Sequence, residues 1–418
     1  MINAGLDIGN GYVKALVKNP EMDGKAQAVD MPSAAAVITN SADVRISEPD
    51  AIKREFEDIY NTLEVSIDSP LVDDKTTRMY IGKRAIKSGK SLQEFNLREA
   101  RRSKSETELS AILTLSIVAG KALSDYYNKN HKLPNSDNVI RVDTKLAISL
   151  PIGEYKLNKN VVPRNYMAQA HVVRIHNFQD TVKIEIHVKG VEVAPEGASA
   201  QFAIASKGEK FMKALVADMA KRGVKIPSDI TASDIAAAGG IIGIDIGEGT
   251  VNFPIYQDLR FNPDTSSTFN KGYGSVMDEA VARLSQMGRP FDTRKKLVAW
   301  MLEAKSKPLM RRKYEEVMSI VDTEIDIFTD ELTRQFSSVL ERNGAFAEVV
   351  YVYGGGATPV QASLYPKIDK AIKRMFGDDA FMPVLYLDSS YSRCLNRDGL
   401  YLLAASDDPK GTEDLSNV

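Results

Sequence analysis

Two copies of one short motif carry residue types suited to binding phosphate. The pattern D-I-G-x-G-x-V occurs at residues 7–13 and again at residues 245–251, roughly 240 residues later, a separation set by domains. In each copy an apolar, β-like run ends in an aspartate and a tight glycine turn. Glycine accepts positive φ and lets backbone approach a ligand closely, and consecutive N–H groups in such a turn form a concave anion site. Two such turns facing each other would hold a polyphosphate between two domains.

Charged side chains beside these turns extend the same chemistry. Asp7 and Asp245 would point at the phosphates, and carboxylates next to phosphate suit Mg²⁺, which they usually hold through its waters. Lys14 follows the first turn and could neutralise phosphate charge. Residues 12–17 have the character of a strand, which predicts a β-hairpin. The site therefore differs from a P-loop, where a helix follows the turn and the pattern G-x-x-x-x-G-K-[ST] is required.

A third glycine-rich segment, Y-G-G-G-A-T-P at residues 353–359, also follows a buried strand. Three glycines remove the side chains from one patch, on which a flat ligand such as adenine could lie. The alternative is an ordinary strand-to-helix turn. A single D-x-G-x-G is likewise common in β-turns, and it is the repetition that favours phosphate binding.

Strands and helices alternate along the chain, which indicates an α/β architecture. Short β-branched runs closed by turn residues are typical of buried strands, and five such runs lie at residues 2–8, 146–150, 241–246, 349–353 and 384–387. Apolar residues at helical spacing predict helices at residues 109–127, 210–219, 276–284, 314–340 and 365–376. Residues 172–193 alternate apolar and polar side chains, as in a hairpin with one wet face. Residues 19–74 are polar and irregular, as in an inserted subdomain.

Composition excludes several classes of protein. The chain has 418 residues with a net charge of −2, so it is expected to contain two to four structural units and no surface suited to broad, nonspecific DNA binding. One cysteine, Cys394, excludes a disulfide framework and a multi-cysteine zinc site. The N-terminus lacks the basic and apolar regions of a secretion signal, and no apolar run reaches the ~18 residues that span a bilayer. These features predict a cytoplasmic protein.

The order of the three glycine segments resembles the superfamily of actin, sugar kinases and heat-shock chaperone ATPases. The segments match its first phosphate loop, second phosphate loop and adenosine loop, and their spacing covers nearly the whole chain. Three further details resemble bacterial actin-like plasmid segregation proteins of the ParM/StbA type: the opening residues 5–14, the segment S-L-P-I-G-E-Y at residues 149–155, and the closing N-x-x-G-L at residues 396–400.

The resemblance implies a role for each site residue. Asp7 and Asp245 would hold hydrated Mg²⁺ and help to place the attacking water, as catalytic residues. The phosphates would be bound by Gly9, Asn10, Gly11 and Lys14 from the first turn and by Gly247, Glu248, Gly249 and Thr250 from the second. Adenosine would face Gly354, Gly355 and Gly356, with Glu303 as the acid presented to the ribose.

The segment at residues 191–200 resembles the superfamily's connecting segment, in which a Glu or Gln orients water for hydrolysis. Glu196 is the matching residue, because a carboxylate near the γ-phosphate can align water and accept its proton. The alternative is that Glu196 is a first-turn residue of a helix, favoured there by the helix dipole. For Glu303, the alternative is an ordinary solvated acid on a helix.

The resemblance implies an actin-like fold of two RNase H-like α/β domains around a nucleotide cleft, each with a five-stranded sheet and a smaller variable subdomain. Domain I would contain residues 1–200 and 388–418, with its variable subdomain at about 19–80. Domain II would contain residues 201–387, with its variable subdomain at about 262–313.

The implied function is a filament that hydrolyses ATP or GTP with Mg²⁺ to control polymer stability. It would segregate plasmid DNA through a DNA-bound, ParR-like adaptor protein, without contacting DNA directly and without a membrane. Subunits would join head to tail, a heterologous contact that does not close. The main alternative is a non-polymerising small-molecule kinase of the same superfamily.

Overall fold

The computed structural model of the chain describes residues 1–22, 24–38, 45–95, 107–387 and 389–406. The strands in these ranges are β1 (Ile2–Ile8), β2 (Tyr12–Lys18), β3 (Gln27–Pro32), β4 (Ala34–Ile38), β5 (Glu64–Asp68), β6 (Arg78–Ile81), β7 (Leu92–Glu94), β8 (Val139–Leu150), β9 (His171–Ile175), β10 (Val182–Pro195), β11 (Ile241–Ile246), β12 (Val251–Phe253), β13 (Ile255–Gln257), β14 (Arg260–Phe261), β15 (Ser267–Phe269), β16 (Val349–Tyr353) and β17 (Val384–Tyr386).

The helices in the same ranges are α1 (Pro49–Glu55), α2 (Ile59–Thr62), α3 (Lys83–Lys87), α4 (Glu108–Asn130), α5 (Ile152–Asn158), α6 (Val161–Met167), α7 (Ser199–Ser206), α8 (Gly208–Lys221), α9 (Ala232–Ala236), α10 (Tyr273–Gln286), α11 (Arg294–Ala304), α12 (Arg311–Asn343), α13 (Ala357–Phe376), α14 (Ser389–Ser392) and α15 (Leu395–Ala405), with a short 3₁₀ turn at Pro308–Met310 before α12.

The chain divides into two compact units. One contains Met1–Ile204 and the described residues that follow Arg393, and the other contains Ala205–Arg393. The chain passes from the first unit to the second inside α7, and it passes back to the first unit between α14 and α15. Residues 407–418, which the sequence assigns to the first domain, lie outside the described residues.

The first unit is built on one sheet with the strand order β3-β2-β1-β8-β10-β9-β5-β6-β4-β7. The strands β1, β8 and β10 are parallel, so their carboxyl ends lie at one edge. The predicted hairpin at residues 172–193 is confirmed, because β9 and β10 pair antiparallel. The expectation of five strands is wrong, since the same sheet continues through β5, β6, β4 and β7.

The prediction that residues 19–74 are irregular is also wrong. This region supplies β3, β4 and β5, and β4 pairs on both sides, with β6 and with β7. The sequence of β4, A-A-A-V-I, has little intrinsic strand preference. Pairing partners 40 or more residues away in sequence settle its conformation, and a local pattern does not reveal them.

The second unit has a seven-stranded sheet in which β11 is central. Strand β11 pairs parallel with β16 and antiparallel with β12 and β13. Strand β16 in turn pairs parallel with β17. The apolar faces of α10, α12 and α13 form one buried cluster with these strands. The predicted helix at residues 365–376 begins earlier, at Ala357, and α13 contains Pro366 in its interior. A proline normally marks the start of a helix, so the sequence pattern missed the preceding turns.

Helix α4 is buried along most of its length in the first unit. It is long and apolar enough, by length and composition, to cross a membrane, although no single run in it is wholly apolar. However, 89% of its apolar window is buried inside the structure. That burial is typical of a core helix.

The closing N-x-x-G-L segment has a structural explanation in α15. The Ser199 hydroxyl donates a hydrogen bond to the Asn396 side chain (3.1 Å). A Cβ at Gly399 would lie only 1.8 Å from the Ser199 carbonyl oxygen. The glycine is therefore needed for close contact between α15 and the start of α7.

We expect Gly399→Ala to lower the free energy of unfolding of the first unit by about 3 kcal/mol, because backbone rather than a flexible side chain blocks the added methyl group. Gly153→Ala, in α5, is the matched control: a Cβ there meets nothing within 4 Å, and the change should stabilise the helix by about 0.5–1 kcal/mol. Urea denaturation measures both. Equal midpoints for the two variants would contradict the packing argument.

We expect the protein to lose stability in acid because of one histidine in the first unit, His176. Burial, and then the charges of Arg78, Arg45 and Arg174, lower the pKa of His176 to about 4 from 6.5. Between these values the unfolded chain binds a proton that the native chain does not, so the free energy of unfolding falls as pH drops from 6.5 toward 4. After discounting for partial exposure, we expect a loss of about 1–2 kcal/mol.

The variant His176→Gln should flatten this part of the stability-against-pH curve, whereas His131→Asn, at an exposed helix end, should leave it unchanged. Thermal denaturation at a series of pH values measures the slope. A slope that is the same with and without His176 would show that other groups titrate there.

Candidate functional site

The first glycine turn is a tight connection held from the side by one serine. Gly9 donates its N–H to the Tyr12 carbonyl (2.9 Å), which closes the hairpin between β1 and β2. Ser33 donates its hydroxyl to the Gly9 carbonyl (2.6 Å) and its N–H to the Gly11 carbonyl (3.0 Å). A Cβ at Gly9 would lie 2.8 Å from the Tyr12 carbonyl oxygen, so the turn requires glycine. The predicted hairpin is confirmed, and Ser33 is a contributor that the sequence did not reveal.

These contacts engage the carbonyls of the turn and leave its next two N–H groups open. Among the described residues, neither the Asn10 N–H nor the Gly11 N–H has an acceptor, and both residues are partly exposed. Adjacent N–H groups without acceptors form a small site of positive potential. The turn therefore fits an anion such as a phosphate oxygen.

A carboxylate and an ammonium lie beside this turn. Asp7 and Lys14 are cross-strand partners on β1 and β2, with the Lys14 Nζ 3.9 Å from the Asp7 Oδ2. The Ser149 hydroxyl, near the end of β8, lies 3.5 Å from the Asp7 Oδ1. The Asp7 side chain is only 13% exposed. A partly buried carboxylate with one nearby cation suits hydrated Mg²⁺, which keeps most of its waters.

Glu196 lies at the same edge of the sheet. Strands β8 and β10 end in register, at Leu150 and Pro195, and the Glu196 N–H donates to the Leu150 carbonyl (2.6 Å). The carboxyl ends of the three parallel strands thus carry Asp7, Ser149 and Glu196. Open α/β sheets bind ligands at this edge. Glu196 occupies a turn before α7 begins at Ser199, so the alternative of a helix first-turn residue is wrong.

The second glycine turn repeats the geometry of the first. Gly247 donates its N–H to the Thr250 carbonyl (2.9 Å), the same three-residue span as in the first turn. Within the described part of the chain, the N–H groups of Glu248 and Gly249 have no acceptor. The start of α10 holds this turn, because the Tyr273 N–H donates to the Gly247 carbonyl (2.9 Å). The second turn therefore also offers adjacent N–H groups to an anion.

The Glu248 side chain is paired with an arginine of α11. Arg294, at the start of α11, donates from Nε (3.1 Å) and Nη2 (2.6 Å) to the Glu248 Oε1, and from Nη1 to Asp278 (2.8 Å). Partial burial lowers the pKa of the Arg294 guanidinium, but the two carboxylates raise it further, and the net direction is upward. This pairing neutralises a carboxylate that would otherwise repel an anion at the turn.

Asp245 has a different neighbourhood from Asp7. It is 6% exposed, and its cross-strand partner on β12 is Asn252, where the first hairpin has Lys14. Asn252 is buried and accepts a hydrogen bond from the Thr268 hydroxyl (2.7 Å). The first turn thus has a cation beside its carboxylate, whereas the second has a neutral amide.

The third glycine segment contacts Asp245 directly. Gly354 has a φ of +96°, and a Cβ there would lie 2.5 Å from the Asp245 Oδ1. The Gly356 N–H donates to the Ile246 carbonyl (2.8 Å). Gly355 is exposed and would accept a Cβ without contact, so it presents bare backbone. The parallel pairing of β11 with β16 therefore unites the second and third glycine segments at one edge.

Glu303, the proposed ribose contact, lies exposed on α11. Its side chain is 66% exposed and pairs with Lys307 four residues later, and the hydrogen bond from Lys307 lowers the pKa of the Glu303 carboxyl. No hydrogen bond or ion pair joins Glu303 to a glycine turn within the described residues.

A metal ion beside either glycine turn would depend on few protein ligands. In the ranges that the structure describes, no group of three or more His, Cys, Asp or Glu side chains could hold a metal ion. Single carboxylates, at Asp7 and at Asp245, fit Mg²⁺ that reaches the protein through waters and substrate phosphates. They do not fit a metal that needs an all-protein cage.

Comparisons with known proteins identify two family models that match parts of this chain. A family model described as "Actin like proteins N terminal domain" matches residues 5–198, and one described as "Archaeal actin homologue MreB-like, C-terminal" matches residues 243–365. No curated protein matches the chain at a significant level.

Solved structures share the fold along the whole chain. The archaeal actin homolog Ta0583 is 14% identical, with coverage of 97% of this chain and 99% of that one and a TM-score of 0.60. The actin-like protein Alp7A is 15% identical, with coverage of 96% and 95% and a TM-score of 0.60. ParM from Bacillus thuringiensis with AMPPNP is 17% identical, with coverage of 97% and 98% and a TM-score of 0.57.

These matches confirm the predicted actin-like fold. At such identities they show the fold alone, and the family models place both halves of the chain with the actins. The chain therefore has an actin-like fold, and models of actin-like proteins match residues 5–198 and 243–365.

Proposed function

We propose that this protein is an ATPase, or a GTPase, that forms filaments whose stability depends on nucleotide hydrolysis. The observation that supports it best is the repeated turn, in which a glycine closes the hairpin and two adjacent N–H groups remain open. One such turn is an ordinary feature of β-hairpins. A second copy, with the same hydrogen bond and an aspartate at the same offset, favours two phosphate-binding loops for one nucleotide.

Each site residue has a proposed role. The open N–H groups of the turns bind phosphate oxygens, and Lys14 adds positive charge at the first turn. Mg²⁺, bound through water to Asp7 and Asp245, would neutralise charge on the phosphates. Glu196 orients the attacking water and accepts its proton.

The nucleoside would lie near the third glycine segment. Gly355 exposes backbone without a side chain, which suits the flat face of a base. Glu303 remains the proposed ribose contact. To reach a ribose hydroxyl, it would have to exchange its partner Lys307 for the ligand.

The proposed biological role is segregation of plasmid DNA in a bacterial cytoplasm. This role is supported by the solved structures that share the fold, which include ParM and Alp7A. One of the ParM structures is described as a structure with AMPPNP. Self-association would be head to tail. Contact with DNA would be indirect, through a DNA-bound, ParR-like adaptor, consistent with a net charge of −2.

Sedimentation tests this function. The purified chain is centrifuged with ATP, GTP, ADP or no nucleotide, with Mg²⁺ present, and phosphate release is measured in parallel. We expect pelleting with a nucleoside triphosphate and its decay as phosphate appears. A soluble protein under all conditions that transfers phosphate to a small acceptor would instead identify a kinase.

A further inference from the structure

A polar pocket lies in the first unit, away from the first glycine turn. It has a volume of about 440 Å³ and lies between the β2–β3 connection and the C-terminal half of α4. Strand β2 separates it from the turn: Tyr12 begins the strand and Lys18 ends it at the pocket. Seven residues of strand span about 20 Å. The pocket is therefore not part of the proposed nucleotide site.

An ion pair is buried in this pocket. Lys121 and Asp125 lie one helical turn apart on α4, with side chains 10% and 11% exposed, and the Lys121 Nζ donates to the Asp125 Oδ1. The rest of this helix is an apolar core element. Removing two charges from water costs free energy that their attraction often fails to recover, and apolar residues of similar size are commonly as stable. Stability therefore does not explain the pair.

The Asp125 carboxylate also has an unused acceptor. Its Oδ2 is buried and accepts no hydrogen bond from any described residue. The nearby Tyr60 hydroxyl is directed elsewhere, since it donates to the Gln27 side chain (3.0 Å). A buried carboxylate oxygen without a donor is unfavourable. A hydroxyl group entering beside Lys121 would supply that donor after a small rotation of the carboxylate.

The rim of the pocket is basic. Lys18, Lys25 and Lys129 line it, and none of them forms an ion pair with another described residue. With Lys121 the pocket has four lysines against two acids, Glu21 and Asp125. Lysines that are not engaged with carboxylates attract a phosphate group.

We propose that this pocket binds a small phosphorylated sugar, with its phosphate on the rim lysines and one hydroxyl on Asp125. The ligand needs both a phosphate group and a hydroxyl group. A bare anion would leave the Asp125 Oδ2 without a donor and would approach its negative charge. A neutral sugar would make no use of the lysines.

Isothermal titration of the full chain with ribose 5-phosphate, inorganic phosphate and ribose tests this, without nucleotide and with EDTA. We expect ribose 5-phosphate to bind at least about 10-fold more tightly than phosphate, a difference of about 1.4 kcal/mol, and ribose not to bind. Lys18→Gln with Lys25→Gln should weaken both anions. Asp125→Asn should weaken ribose 5-phosphate and leave phosphate unchanged or tighter.

Lys132→Gln is the matched control, because Lys132 is an exposed lysine just beyond α4 and does not line the pocket. The proposal is overturned if ribose 5-phosphate fails to bind at about 10 mM, well above a millimolar dissociation constant. It is also overturned if binding survives the double lysine variant, which would direct the ligand to another site, such as the glycine turn. The double variant changes only partly or fully exposed side chains, so this arm remains informative if Asp125→Asn does not fold.

Discussion

The Glu196→Ala variant should release phosphate about 10²–10⁴-fold more slowly than the unaltered protein, while its nucleotide-dependent polymer persists longer. Glu196 follows the end of β10, where its own N–H is tied to the Leu150 carbonyl. Truncating the side chain leaves this backbone hydrogen bond intact. The fold should therefore survive, and the loss should fall on the chemical step.

Two further variants sharpen this measurement. Glu196→Gln keeps a hydrogen-bonding group that orients water but cannot accept its proton, so its rate should lie between those of the unaltered protein and the alanine variant. Glu185→Ala removes a partly exposed acid from the same strand, away from its carboxyl end, and should not change the rate. Unchanged phosphate release in Glu196→Ala would remove this residue from the mechanism.

The Asp7→Ala variant should lose nucleotide affinity only where Mg²⁺ is present. An aspartate that holds hydrated Mg²⁺ acts through its waters, and removing such a partner typically costs about 10–100-fold in affinity. In EDTA the same change removes a negative charge beside the phosphates, so affinity should stay equal or improve. Titration of a fluorescent nucleotide with Mg²⁺ and with EDTA measures both effects.

Asp143→Ala is a suitable control, because Asp143 is an exposed acid on β8 paired with Lys189. It should bind nucleotide normally under both conditions. An equal loss for Asp7→Ala with Mg²⁺ and with EDTA would indicate damage to the turn, and full affinity in Mg²⁺ would count against the assignment of Asp7. Asp245→Ala should behave in the same way, except that it also frees space at Gly354.

Local patterns in the sequence predicted the main buried strands and the longest helices. The five buried strands and the long helices α4 and α12 appear where the apolar spacing indicated, because burial of one face fixes the periodicity of a segment. The errors occurred where a local rule competes with a distant partner. The region around β4 is the clearest case, since its alanine-rich segment becomes a strand only by pairing with β6 and β7.

The contributors to the site divide in the same way. The glycines and aspartates of the two turns were identifiable because their types and spacing repeat. Ser33 and Arg294 were not, since each reaches its turn from an element that belongs to no repeated pattern. Ser149 lies in the S-L-P segment, but the sequence did not reveal its contact with Asp7. Their contributions depend on strand register and on where a helix begins.

The sequence by itself determined the pair of hairpin turns, because glycine's freedom at a tight turn is a property of a few consecutive residues. It also determined the position of Asp7 and Asp245, each two residues before the turn's first glycine. Tertiary structure alone decided which distant residues lie beside each aspartate: Ser149 at Asp7 and Gly354 at Asp245. The physical reason is that parallel strand pairing joins residues about 100 or more positions apart, and only the folded sheet fixes their register.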